Sequence, residues 1–300
     1  VKTQNQKICI RNSSVALFIK REDRIHPFVS GNKYRKLKYN LEFAKVHGQT
    51  HLITFGGAYS NHIAAVAFAG KENNLKTLGI IRGEELVDKI DENPTLKFAQ
   101  DCGMQFKFVT REQYKLKESA SFLNRLSIKY PNAYILPEGG TNIHAIKGCE
   151  EILSLDDSCF DFICCSVGTG GTVSGIINSS LSHQKVLAFP SLKGDFIQKD
   201  ISKFAKKSNW EVISKYHFGG YGMVNSELID FINQFYHKYN IPLDPIYTGK
   251  MVFGVIDLIN TNYFPENSKI LMIHTGGLQG IDGMNLKLKS KNLQQIDKHD

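Results

Sequence analysis

The sequence predicts an α/β protein whose parallel sheets are covered by helices. Three observations predict it. Short apolar runs alternate with amphipathic stretches along the chain, the pattern of strands joined by crossover helices. The runs are nearly continuous in apolar residues, as in strands buried on both faces. Three glycine clusters, at Gly56-Gly57, Gly168–Gly171 and Gly276-Gly277, each follow such a run. Parallel sheets bind ligands at the carboxyl ends of their strands, so the clusters point to one shared site.

The elements follow in order. ALFIKR (16–21) reads as a strand. Residues 32–47 read as a helix, with Leu37, Leu41 and Ala44 on one face and Gly48 as a stop. HLITF (51–55) is a buried strand and 61–73 a helix. LKTLGII (75–81) is a strand, 94–102 a helix, and MQFKFV (104–109) a strand. One long helix is expected over 112–129. AYIL (133–136) is a strand, and Glu138-Gly139-Gly140 a turn. A helix over 143–153, the strand FDFICCSV (160–167), a glycine loop, a helix over 173–181 and the strand KVLAF (185–189) continue the alternation. Helices over 227–238 and 250–260 and the strand KILMIHT (269–275) complete it.

The totals fit this fold. With 300 residues, 42% of them hydrophobic and 22% charged, the chain is globular and long enough for one large domain or two modest ones. No apolar run approaches the ~20 residues of a membrane span, and no secretory signal is expected at the start. The six cysteines show no Cys-x-x-Cys spacing, so no metal is expected, and the thiols are expected to be reduced and cytoplasmic. The net charge of +8 is spread without an arginine-rich arm, which argues against nucleic acid and for attraction of anionic substrates.

Three segments carry chemistry. The loop SVGTGGTVSG (166–175) joins a strand to a helix start, the usual seat of a phosphate. A dinucleotide fingerprint would need glycine where Val173 stands, and no Walker lysine follows, so a smaller phosphate cofactor is expected. A tight turn without ligand is the plain alternative. Lys33 lies just inside a helix start, where the helix dipole should lower its pKa and prepare it for a Schiff base; alone, it reads instead as one of several solvated lysines, with Lys36 and Lys38 as neighbours. In GGAYSNH (56–62), Ser60, Asn61 and His62 bring a hydroxyl, an amide and an imidazole to a helix start, where simple capping is the alternative.

Together, Asn-Lys-x-Arg-Lys (32–36), Gly-Gly-x-x-Ser-Asn-His, Gly-Thr-Gly-Gly-Thr, Tyr-Thr-Gly-Lys (247–250) and His-Thr-Gly-Gly (274–277) resemble the 1-aminocyclopropane-1-carboxylate (ACC) deaminase / D-cysteine desulfhydrase family. These enzymes use pyridoxal 5'-phosphate (PLP) and have the two-domain, tryptophan-synthase-β-like architecture of fold type II. The resemblance covers about residues 18–280. It implies a large PLP-binding domain of residues 1–38 and 142–300, and a small domain of 39–141. It implies that Lys33 forms the Schiff base and that Asn61 bonds the cofactor's phenolic oxygen. Gly168, Thr169, Gly170, Gly171 and Thr172 would hold its phosphate, and Thr275, with Thr248 nearby, would face its pyridine nitrogen. Ser60, His62, Asn61 and Tyr221 would meet substrate, with Ser60, Tyr221 and Tyr247 serving catalysis beside Lys33. A homodimer acting on a small amino acid is implied as well.

Two positions bear on the reaction. The ring-opening branch of the family carries Glu and Leu where this chain has Thr248 and Thr275. A carboxylate at the pyridine nitrogen favours a protonated ring and a strong electron sink; a hydroxyl does not. β-Elimination of D-cysteine to pyruvate, ammonia and hydrogen sulfide, with thiolate as a good leaving group, is therefore expected. ACC deamination to 2-oxobutanoate and ammonia, a related D-amino-acid lyase or racemase, and a non-catalytic PLP-binding protein are the alternatives.

Overall fold

The computed structural model describes residues 1–11 and 13–297. Among the described residues ten strands run β1 Asn5–Ile8, β2 Ala16–Lys20, β3 His51–Gly56, β4 Lys76–Arg82, β5 Gln105–Val109, β6 Ala133–Ile135, β7 Phe162–Val167, β8 Lys185–Pro190, β9 Trp210–Val212 and β10 Lys269–Ile273. The α-helices are α1 Asn32–Val46, α2 Asn61–Glu72, α3 Pro94–Asp101, α4 Arg111–Lys115, α5 Ala120–Lys129, α6 Ile143–Cys149, α7 Gly171–Ser179, α8 Phe196–Ser202, α9 Ser226–Tyr239, α10 Thr248–Asn260 and α11 Gly280–Lys289.

The strands form two sheets. One has the order β1-β2-β10-β7-β8-β9, the other β5-β4-β3-β6. Only β1 runs antiparallel to its neighbour; every other pairing is parallel. Side-chain alternation along the larger sheet divides its core in two. Cys164, Leu187, Ile270 and Met272 pack with α9 and α10 residues on one face, while Ile163, Cys165, Val186, Leu271 and Ile273 pack with α7 residues on the other. Both faces are thus buried, which is why these strands read as continuous apolar runs.

Two expected helices are interrupted. The stretch expected as one helix over 112–129 is two, α4 and α5. Ser119 breaks it by accepting the Phe122 amide at 3.3 Å, a cap that starts a new helix. The expected helix over 143–153 is regular only to Cys149 and tightens into a 3₁₀ turn over Glu150–Ile152. There α1 and α6 approach closely: a Cβ on Gly148 would lie 1.9 Å from the Arg35 carbonyl oxygen.

Candidate active site

The start of α1 is fixed to the end of β10. Gly31 has a left-handed backbone (φ +57°), and a Cβ there would fall 1.9 Å from the Thr275 carbonyl oxygen, so only glycine fits. The Asn32 amide donates to that same oxygen at 3.1 Å. This contact aims Lys33 into a cavity that Asn61, the 168–172 loop, Tyr247 and Thr275 also line. Most of the expected site residues therefore meet in one place.

The Lys33 amine is lowered to about 7, first by burial and then by the nearby Lys36 cation, with Cys149 and Asp244 opposing. Burial, rather than the helix dipole that the sequence suggested, makes this amine neutral enough to act as a nucleophile. Lys33 Nζ donates to Asn32 Oδ1 at 3.3 Å, and Asn32 Nδ2 donates to Thr172 Oγ1 at 2.7 Å. Asn32 so ties the lysine to the glycine loop.

The loop forms an anion cradle. Gly170 takes a left-handed conformation before α7, and the amides of the first turn of α7 open toward the cavity. Beside them stands Lys36, which sequence reasoning took for a surface neighbour. It is buried, and its Nζ donates to the Gly139 carbonyl at 2.9 Å, to Thr141 Oγ1 at 2.9 Å and to Thr169 Oγ1 at 3.4 Å. A Cβ on Gly171 would sit 3.2 Å from that nitrogen. The available signal was the spacing, since residues three apart share a helix face and Lys36 follows Lys33 by three.

The start of α2 separates its three polar residues. Asn61 lines the cavity, and its Oδ1 is buried without a hydrogen-bond partner, a state that calls for a ligand donor. Ser60 lies outside the lining, and its Oγ accepts the Ile63 amide at 3.3 Å, capping the helix. His62 is buried behind the cavity wall. Thr54 Oγ1 donates to the Leu136 carbonyl at 3.1 Å and lies 2.8 Å from His62 Nε2. With the threonine's single proton thus used, the imidazole donates from Nε2, leaving Nδ1 as a bare acceptor beside Gly140. Burial, then the Lys33 and Lys36 charges, hold this histidine neutral, well below its ordinary pKa.

The N-terminus of α10 is built on Asp244. This buried carboxylate accepts the amides of Ile246 at 2.9 Å, Tyr247 at 2.8 Å and Thr248 at 2.8 Å, and the Thr248 hydroxyl at 2.6 Å. Thr248 Oγ1 also accepts the Asp244 amide at 3.0 Å. The Thr248 hydroxyl is consumed there, and the residue lies outside the cavity lining, contrary to its expected place near the cofactor. Tyr247 stands against the glycine loop: a Cβ on Gly168 would be 3.1 Å from its ring. Tyr221 meets the Tyr247 ring edge-on at 6.2 Å, is half exposed and lies outside the lining. Burial first, and then each other's proximity and Asp244, push the Tyr247 phenol well above 10. Thr275 Oγ1 lies 3.2 Å from Ser166 Oγ, and both residues line the cavity.

The sequence pattern of a family described as pyridoxal-phosphate dependent enzyme matches residues 8–276. The chain belongs to that family. A bifunctional D-cysteine desulfhydrase/1-aminocyclopropane-1-carboxylate deaminase, mitochondrial, of Arabidopsis thaliana is 34% identical over 297 residues, covering 88% of this chain and 73% of the relative. A D-cysteine desulfhydrase of Klebsiella pneumoniae is 26% identical over 288 residues, covering 87% of this chain and 86% of its own. A solved structure described as an ACC deaminase homologue matches with a TM-score of 0.84 at 26% identity, over 97% of this chain and 94% of its own. This PLP-dependent enzyme thus has the fold-type-II architecture. Its residues fit the cofactor: a depressed lysine amine for the carbonyl, an unpartnered amide oxygen at Asn61, and a glycine cradle with the Lys36 cation for the phosphate.

Proposed function

We propose that this enzyme eliminates the β-substituent of a D-amino acid, with D-cysteine as substrate. One observation carries the proposal: among the described residues lining the cavity, none is Asp or Glu. The buried carboxylate beside the site, Asp244, is saturated by its four donors at the start of α10. The Ser166 and Thr275 hydroxyls of the lining would then meet the ring nitrogen, and hydroxyls do not hold a proton there as a carboxylate would.

Bound PLP supplies the electron sink. Lys33 would hold it, and the Lys33 amine or a nearby hydroxyl would take the Cα proton; a positioned base contributes typically ~10²–10⁴-fold. The Asn61 side-chain amide would bond the phenolic oxygen. Gly168, Thr169, Gly170, Gly171 and Thr172 hold the phosphate together with Lys36. Tyr247, with Tyr221 beyond it, would flank the substrate, and Ser60 and His62 would support from outside the lining the wall that receives its carboxylate. D-Cysteine and one water give pyruvate, ammonia and hydrogen sulfide. Opening of ACC is the alternative at the same site, favoured by the double name of the Arabidopsis relative. The same proposal takes residues 39–141 as a small domain against a large domain of 1–38 and 142–300, in a cytoplasmic homodimer.

The test incubates purified holoenzyme with D-cysteine. Pyruvate and sulfide should appear in equal amounts, and Lys33→Ala should abolish both together with the borohydride-fixed cofactor adduct. An adduct persisting at another lysine would refute the role of Lys33.

A further inference from the structure

The segment His217-Phe218-Gly219-Gly220-Tyr221-Gly222 carries four left-handed residues: Phe218 (φ +52°), Gly219 (φ +90°), Gly220 (φ +119°) and Gly222 (φ +67°). A chain rich in glycine and bent this way has many other shapes open to it. Its internal bonds are few: the Gly220 amide to the His217 carbonyl at 3.0 Å, the Gly219 amide to His217 Nδ1 at 3.0 Å and the Met223 amide to the Gly220 carbonyl at 3.2 Å. Something outside the loop must set where Tyr221 stands.

Lys250 does so from below. It lies in the first turn of α10, three residues after Tyr247, and is buried. Its Nζ donates to the His217 carbonyl at 2.9 Å and the Gly220 carbonyl at 2.8 Å. Burial disfavours a cation, and so does the start of a helix; the Asp244 carboxylate opposes them, and the two loop carbonyls take the ammonium's hydrogen bonds. Burial lowers the amine to about 8 with Asp244 opposing, so it stays cationic at neutral pH. The exposed Lys287 reaches only the far end of the loop, the Gly222 carbonyl at 3.0 Å.

We propose that Lys250 is a positioning residue, which holds the loop so that Tyr221 stays edge-on to Tyr247 at the substrate side of the site. The functional part rests on the placement of Tyr221 in the active site, and the structural part does not.

Two measurements on holoenzyme test it. Lys250→Met should make amides 217–222 exchange hydrogen at least about tenfold faster while the rest of α10 keeps its protection. It should lower kcat for D-cysteine by about 10²-fold, as small misplacements do, with KM little changed. In a Tyr221→Phe background the same substitution should lower kcat no further, whereas a general loss of structure would lower it in both backgrounds. Unaltered loop exchange, or an equal loss of kcat in both backgrounds, would overturn the proposal. Should K250M fail to fold, the wild-type enzyme decides: the anchored loop should be protected like the first turn of α10, and free-peptide exchange rates there would overturn it. A wild-type enzyme inert toward D-cysteine would reject the proposed substrate, and the exchange experiment would still judge Lys250.

Discussion

Ser166 Oγ and Thr275 Oγ1 lie 3.2 Å apart, one at the end of β7 and the other just beyond β10, adjacent strands of the larger sheet. The pair faces the cavity that Lys33 enters. Thr275→Val keeps the shape and removes one hydroxyl. A hydrogen bond of this kind is worth about 1–1.5 kcal/mol, so kcat for D-cysteine should fall about tenfold while the cofactor remains bound. Steady-state kinetics with an absorbance spectrum of the variant check this.

Thr248 calls for a different expectation from the one its sequence position suggests. Its hydroxyl donates to the Asp244 carboxylate at 2.6 Å, so glutamate at 248 would bring a second carboxylate to a buried one. Thr248→Glu should destabilise the protein by about 3–5 kcal/mol, and Thr248→Val by about 1–2 kcal/mol. Urea unfolding midpoints of the two variants check the order.

The Lys33 amine, lowered to about 7 by burial and by Lys36, gives a pH dependence with a definite sign. A lowered lysine pKa means the neutral, nucleophilic form dominates above about 7 instead of above 10.5. Cofactor capture by the apoenzyme should therefore speed up by about tenfold per pH unit below 7 and level off above it. Lys36→Met removes the neighbouring cation and should move that midpoint upward. Stopped-flow absorbance of reconstitution against pH checks both.

Lys36 should also hold the phosphate. Hydrogen bonds to charged groups contribute about 1.5–3 kcal/mol, so Lys36→Met should weaken PLP binding about 10- to 100-fold. Equilibrium dialysis of the apoenzyme measures it. Unchanged affinity would remove Lys36 from the cradle.

Much of this was legible in the sequence where periodicity is strong. Strands buried on both faces, such as FICCSV, stand out as apolar runs, and the glycine clusters mark their ends. Short or polar elements did not stand out: β1 and β9 have four and three residues, and the segments of α8 and α11 drew no assignment. The break at Ser119 hid inside a helical pattern, since serine is tolerated in a helix until its side chain caps one. In the site, the combined motifs and the resemblance they carry pointed to Lys33, Asn61 and the 168–172 loop; residue type alone did not. It could not separate the buried Lys36 and Lys250 from solvated lysines, because burial of a lysine is decided by tertiary packing. It also could not foresee that Asp244, outside every motif, takes the Thr248 hydroxyl.

The most direct measurement compares kcat/KM of the wild-type holoenzyme for D-cysteine and for ACC in one preparation. With the Ser166 and Thr275 hydroxyls but no carboxylate in the cavity lining, D-cysteine should be preferred by at least about 10²-fold, the equivalent of roughly 3 kcal/mol of transition-state stabilisation. Comparable values for the two substrates, or a preference for ACC, would contradict the account.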